Sequence, residues 1–340
     1  LHSTARFLVL EERDEGKNMG NWQLPPPGGH MDKPTGLYLQ NMTGRQIHER
    51  LEKNDLIILP IGSSENHGPH GPTGEDTFLV SRMAELVAER TGCTIAQPLW
   101  YGSHPFHHLG MPQTVVIPEE TFIAYIRAVI AGLWNSGFRK QILLNGHGQD
   151  YAIPVAMHQF AKKYQVPAVL VNVNWWFTIK EHIRDKEHGG PFETAFVHAD
   201  ECETSYSLAL FPELVRMEDA VDTKGESLFP EGHIDKSGSA YDLPIPFWQH
   251  VGGSTIEVIA TPEGVVGSAT LASADKAKPG VEAILDYLEK LVNDIMEMYP
   301  AGQLPPASKL SQRSADELEA VLKGPYEPGG KHLYTIAYPP

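Results

Sequence analysis

Cysteine is almost absent, with only Cys93 and Cys202 in 340 residues. Two thiols so far apart give no disulfide framework, and without Cys-x-x-Cys there is no zinc-finger or redox motif. Reduced thiols in a cytoplasmic protein are the expectation. Positive charge is also scarce: 27 Lys and Arg stand against 43 Asp and Glu, a net charge of −16. That balance argues against nucleic acid and anionic membrane as partners. No apolar run is long enough to span a bilayer, and residues 1–7 hold no signal-peptide core. The chain has no P-loop, no Rossmann glycine pattern, no Gly-x-Ser-x-Gly and no His-Glu-x-x-His. Nucleotide, dinucleotide, serine-hydrolase and zincin readings therefore lack their motifs.

What remains is an ordinary soluble composition, 41% hydrophobic and 21% charged, in a chain long enough for a large core. Residues 1–42 are rich in Gly, Pro and charge and read as an irregular arm, suited to packing on a neighbouring subunit. From about residue 43 to 300, short apolar strands alternate with amphipathic helices. Strands are expected at 56–61, 141–144, 168–173 and 256–259. Helices are expected at 43–53, 76–90, from Pro118 to Gly137, from Pro154 to Tyr164, and at 201–210 and 275–298. The alternation predicts one α/β domain, a three-layer α/β/α sandwich around a mostly parallel sheet. Residues 301–340 read as a short helix and a loosely structured tail.

Ligands of open α/β sheets sit beyond the carboxyl ends of the strands, and two predicted strands end in polar clusters. The first runs Leu56-Ile57-Ile58-Leu59-Pro60-Ile61 into Gly62-Ser63-Ser64-Glu65-Asn66-His67-Gly68-Pro69-His70, with Asp76 close behind. In extended backbone Glu65 and His67 point to the same side. Carboxylate and imidazole together begin a divalent metal site, although a polar surface loop has the same composition. The second cluster is Asn145-Gly146-His147-Gly148-Gln149-Asp150, where flanking glycines let the backbone turn and present the imidazole. A third, His198-Ala199-Asp200-Glu201-Cys202-Glu203, opens a helix, where acids also occur for dipole reasons alone.

Glu65, His67, Asp76, His147 and Glu203 thus form a candidate metal set. Oxygen and nitrogen donors without thiolate suit Zn²⁺, Mn²⁺ or Fe²⁺, and a carboxylate such as Asp76 can bridge two ions. His198 is a candidate general acid/base, or else orients Glu203. His104, His107 and His108 could line a substrate pocket or pack as hydrogen-bonded residues. Trp175 could cover that pocket or lie in the core.

These motifs resemble the creatininase family over about residues 55–280. Its signature is Glu-x-His-Gly-Pro-His with an Asp eleven residues after the Glu, matched by Glu65, His67, Gly68, Pro69, His70 and Asp76. Its Asn-Gly-His loop is matched by Asn145-Gly146-His147, and its His-Ala-x-x-x-Glu-Thr-Ser segment by His198 to Ser205. The resemblance implies a metal-dependent hydrolase with a three-layer α/β fold, commonly a hexamer, holding one or two divalent ions. It implies Glu65, Asp76 and His147 on one ion, and His67 and Asp76 on the other. In the creatinine-hydrolysing branch an acid two residues past the loop histidine completes the second site. Gln149 stands there in this chain and is a poorer ligand. Glu203 is the candidate substitute; otherwise the site holds one ion, and Gln149 is left to contact substrate.

That departure points away from creatinine. The Asn-Gly-His-Gly-Gln loop and the segments 100–108 and 230–236 are similar to the inositol-catabolic members, which open a diketo-inositol ring to a keto-hexonate. The expected substrate is a cyclic diketo-polyol cleaved at a C–C bond. The alternative is a cyclic amide or formamide cleaved at C–N.

Overall fold

A computed structural model describes residues 36–104, 111–224, 263–306 and 311–336, with two further dipeptide strands. Four parallel strands form the central sheet: β1 (Leu56–Ile61), β2 (Thr94–Ile95), β3 (Lys140–Asn145) and β4 (Val169–Asn174), in the order β2-β1-β3-β4. Every residue of β1 and β3 is buried, as expected for strands covered on both faces. Side chains alternate between the faces. Leu56, Ile58, Ile142 and Leu144 enter one apolar cluster, while Ile57, Leu59, Ile61 and Leu143 enter the other.

The first cluster packs the sheet against α2 (Glu75–Thr91), α6 (Glu201–Leu210) and α7 (Ala274–Met298). The second packs it against α3 (Glu119–Asn135) and α4 (Ala152–Tyr164). This is the three-layer α/β/α sandwich that the alternation of elements predicts. The remaining elements are short: α1 (Gly44–Leu51), α5 (Trp175–Thr178), α8 (Ala315–Lys323), and strands β5 (Asp222–Thr223), β6 (Ile234–Asp235), β7 (Ile245–Pro246) and β8 (Gly267–Ser268). Helix α1 is started by a capping box, with Thr43 and Gln46 each accepting from the other's backbone N–H.

Register decides where the chemistry goes. Ile61 of β1 lies beside Asn145 of β3, which lies beside Asn174 of β4. The three strands end level, so the loops after β1 and β3 leave the sheet together.

Two expectations change. The strand expected at 256–259 lies outside the described residues. The tail expected to be loose is anchored: Val321, Leu333 and Ile336 are buried in the cluster under α3 and α4. Arg313, itself buried, donates to the carbonyls of Tyr164 and Lys163, satisfying acceptors left open at the end of α4. Proline- and glycine-rich sequence hid these anchors, because three apolar contacts spread from Val321 to Ile336 make no periodic pattern.

A buried ion pair fixes the start of β3. Lys140 is fully buried, bonds the carboxylate of Asp55 and donates to the carbonyl of Pro300 at 3.1 Å. The backbone N–H of Gly302 donates to the same Asp55 carboxylate. Asp55→Ala would leave the ammonium buried without its counter-charge. The expected loss is about 3–5 kcal/mol, read as a lower urea midpoint; a variant as stable as the parent would rule out this role.

Candidate metal centre

Asp76 occupies the middle of the site, in the first turn of α2. Its Oδ1 lies 3.6 Å from His67 Nε2 and its Oδ2 lies 3.1 Å from His147 Nδ1. Ser63 Oγ donates to Oδ2 at 2.6 Å. The positive end of the helix adds to the stabilisation of the carboxylate there.

His147 arrives from the loop after β3. Asn145 organises that loop: its Nδ2 donates to the carbonyls of His147 and of the Asn174 side chain, and its Oδ1 accepts from the His147 N–H. Gly146 passes so close to α2 that a Cβ there would sit 2.3 Å from the carbonyl oxygen of Asp76. Glycine is needed for that approach rather than for an unusual φ. His147 Nδ1 then also meets Glu65 Oε2 at 2.9 Å. His104, expected to contact substrate, lies beside them with its ring centroid 4.4 Å from that of His147. Ligand atoms of Glu65, His104 and His147 fall within 4.8 Å of one another.

A second cluster gathers on the other oxygen of Asp76. It contains His67, Glu75, Asp76 and Glu203, whose ligand atoms also lie within 4.8 Å of one another, all four residues buried. His67 Nε2 is 3.1 Å from Glu75 Oε2 and 3.8 Å from Glu203 Oε2. Glu203 is delivered by α6. Asp200 caps that helix by accepting from the N–H groups of Cys202 and Glu203. Ala199, held in the left-handed region at φ 47°, turns its own N–H onto Glu203 Oε2 at 2.6 Å. His198 approaches both clusters: its Nε2 donates to the carbonyl of Asn66 at 2.8 Å, and its Nδ1 lies 3.8 Å from Glu203 Oε2.

Electrostatics follow from four carboxylates in a dry place: Glu65, Glu75, Asp76 and Glu203 are all nine-tenths buried or more. Burial opposes the charged form of His147, but Glu65 and Asp76 outweigh it and lift its pKa to about 10. Burial works the same way on His67, and Glu75 and Asp76 carry it well above the usual value. Burial would raise Asp76, yet His147 and His67 hold it below the usual carboxylate range. Burial and the neighbouring Glu75 push Glu203 well up. His104 is lowered to about 4 by burial, with His147 adding to it. The site therefore draws positive charge to the Asp76 neighbourhood, and a divalent cation suits it.

The other sequence-selected residues fall elsewhere. Gln149 is fully buried and does not face an open site: its Nε2 donates to the Gly62 carbonyl and Asn145 Oδ1, and its Oε1 accepts from Ser103 N–H. Those bonds occupy both amide protons, so it ties three loops together where substrate contact was expected. Trp175 lies in the core, its ring 4.7 Å from that of Tyr206 on α6. His107 and His108 lie outside the described residues. Glu75 was missed, because an acid in the first turn of a helix has an ordinary dipole explanation. Its adjacency to Asp76 was the only available signal.

Residues 40–292 match the family described as Creatininase, creatinine amidohydrolase. The chain belongs to the creatininase family. It is 63% identical over 305 residues to the 3-dehydro-scyllo-inosose hydrolase of Thermotoga maritima, covering 90% of this chain and 98% of that protein. The creatinine amidohydrolase of Pseudomonas putida is 26% identical over 212 residues, 55% of this chain and 76% of that protein. A crystal structure of creatinine amidohydrolase superposes with a TM-score of 0.60 at 22% identity, over 78% of this chain and 99% of the other, as does a manganese form of creatininase. These neighbours agree with the three-layer fold. The chain is a hydrolase, and its buried carboxylate–imidazole clusters could hold a divalent metal. No helix among the described residues is long and apolar enough to cross a membrane.

His147→Ala should lower metal affinity by at least about 100-fold, more than the loss of a residue that only orients a ligand. Equilibrium dialysis followed by elemental analysis reads this directly. Unchanged metal content would remove His147 from the centre.

Proposed function

We propose that the enzyme opens the ring of a cyclic diketo-polyol of the 3-dehydro-scyllo-inosose type by C–C hydrolysis, giving a keto-hexonate in inositol catabolism. The observation that carries this reading is the identity of 63% to a hydrolase of that name over 98% of its length. Glu65, Asp76 and His147 would hold one ion, and His67, Asp76 and Glu203 a second. The metal would be Zn²⁺, Mn²⁺ or Fe²⁺. When bound, it supplies an acidified water and polarises a carbonyl.

Water adds across the broken bond: oxygen joins the attacked carbonyl carbon, which becomes the carboxylate. The bonding pair leaves with the other carbon as an enolate conjugated with the second carbonyl, and that carbon takes a proton. A β-dicarbonyl ring is needed for that conjugation. His198 would handle that proton. Burial lowers its pKa against the pull of Glu65, so the ring is neutral near pH 7. The Asn66 carbonyl can only accept, which puts the proton on Nε2 and leaves Nδ1, on the Glu203 side, to accept one. The Asn66 carbonyl thereby fixes the tautomer of the ring. A cytoplasmic homo-oligomer, in the family manner a hexamer, belongs to the same reading.

The second reading is C–N hydrolysis of a cyclic amide, favoured by the family description and by the Pseudomonas putida relative. Gln149 weighs against it, since the acid of the creatinine-hydrolysing branch is missing there.

A product assay separates the two. Metal-restored enzyme should convert the diketo-inositol with one equivalent of acid released and no amine, and should leave creatinine intact. Metal-depleted enzyme should do neither. Ammonia or amine release from a cyclic amide, with the diketone untouched, would overturn the proposal. Glu65→Gln should abolish the diketone reaction while the fold, followed by circular dichroism, is kept.

A further inference from the structure

The second cluster contains one more acid than the family pattern supplies, and its geometry differs from that of its neighbours. Glu75 is 2% exposed. Its Oε1 accepts from the Ser207 hydroxyl of α6, which fixes the carboxylate plane. Its Oε2 faces His67 Nε2 at 3.1 Å and has no other partner among the described residues. His67 is oriented to match. Its Nδ1 donates to the Glu65 carbonyl at 3.2 Å, so the lone pair of the neutral ring is on Nε2, aimed into the cluster. Metal-ligating histidines are typically held by such a bond from the other nitrogen.

Glu203, by contrast, is less available. Its Oε2 already accepts from Ala199 N–H at 2.6 Å and is 3.8 Å from His67 Nε2. Gln149 has neither charge nor a free amide proton, being bonded to Gly62, Asn145 and Ser103. Charge counting points the same way. Fully ionised, the buried Glu65, Glu75, Asp76 and Glu203 would carry four negative charges, which two divalent ions would balance. Left unbalanced, buried carboxylates are costly.

We propose that Glu75 is a direct ligand of a second divalent ion, with His67 and Asp76, and takes the place of the acid that Gln149 has replaced. Glu203, its Oε2 tied to Ala199 N–H, would stay in that set as the weaker donor. The acid has moved from the loop after β3 to the first turn of α2. The inference rests on the metal-centre reading above, and concerns which residue completes it.

The test is metal stoichiometry of the full-length protein, titrated with Mn²⁺ or Co²⁺ after chelation and followed by elemental analysis. The parent should bind two ions per chain. Glu75→Gln, which keeps the shape and removes the charge, should bind one ion with affinity close to that of the parent's tighter site. Its second ion should be weakened by more than about 100-fold, beyond the 10–100-fold expected of a residue that merely orients a ligand. In the Co²⁺ form, the visible absorption of the second equivalent should be lost while that of the first stays. Should Glu75→Gln not fold, Glu75→Asp, with its carboxylate drawn back, should still weaken the second ion by at least about tenfold. Two ions bound by Glu75→Gln with parental affinity would overturn the inference and leave the metal-centre reading intact. So would a parent that binds a single ion retained by the variant. A parent that binds no ion would overturn both.

Discussion

The carboxylate of Asp76 is the interaction on which the site depends. One oxygen faces His67 and the other faces His147, so two histidines from loops 80 residues apart are referred to a single residue. The fold is arranged to permit this. Strands β1 and β3 end level, which brings both loops to the start of α2. Gly146 then allows the second loop to come within van der Waals contact of the Asp76 backbone, where any Cβ would intrude. Ser63, on the first loop, donates to the same carboxylate. A shift of β3 by one residue would exchange its two apolar faces and carry His147 away from α2. The register and the metal centre are therefore one constraint.

Such a gathering of charge is unfavourable in a dry interior unless something compensates it. Part of the compensation is local: the first turn of α2 stabilises Asp76, and the Asp200 cap settles the start of α6. The rest must be positive charge. In the protein alone that demand falls on protons, which is why His147 and His67 are raised while Asp76 is lowered. A divalent cation meets the same demand by taking the lone pairs that those protons would occupy. His104 and His198, lowered by burial, are already neutral donors around the centre.

Much of this architecture is legible in the sequence, for identifiable reasons. Strand β1 is a short apolar run and β3 carries Ile142-Leu143-Leu144, as a doubly covered sheet favours, and each leads directly into its polar loop. Glu65, His67, Asp76, His147 and Glu203 stand out because each motif is local, and the structure brings their side chains to one place. Glu75, Gln149 and Trp175 are different. The role of each depends on what a distant element presents to it: His67 and Ser207 to Glu75, Gly62 and Ser103 to Gln149, Tyr206 to Trp175. No spacing rule carries that information. The anchored tail is hidden for a similar reason, since Leu333 and Ile336 are isolated apolar residues that gain meaning only against α3 and α4.

Gln149 shows how one substitution redistributes roles without disturbing the scaffold. A carboxylate at this position could not donate to the Gly62 carbonyl and to Asn145 Oδ1 as the amide does. Placed there, a charged acid would have to turn away from those acceptors and toward a cation, leaving the loops after β1 and β3 joined mainly through Asn145 and Gly146. With the amide, the loops are bonded to each other directly, and the negative charge next to the centre comes instead from α2 and α6. Next to Ser103 the chain thus has a neutral amide where the creatinine-hydrolysing branch has an acid. A neutral polyol diketone, dense in hydroxyl and carbonyl groups, is compatible with the amide at that position.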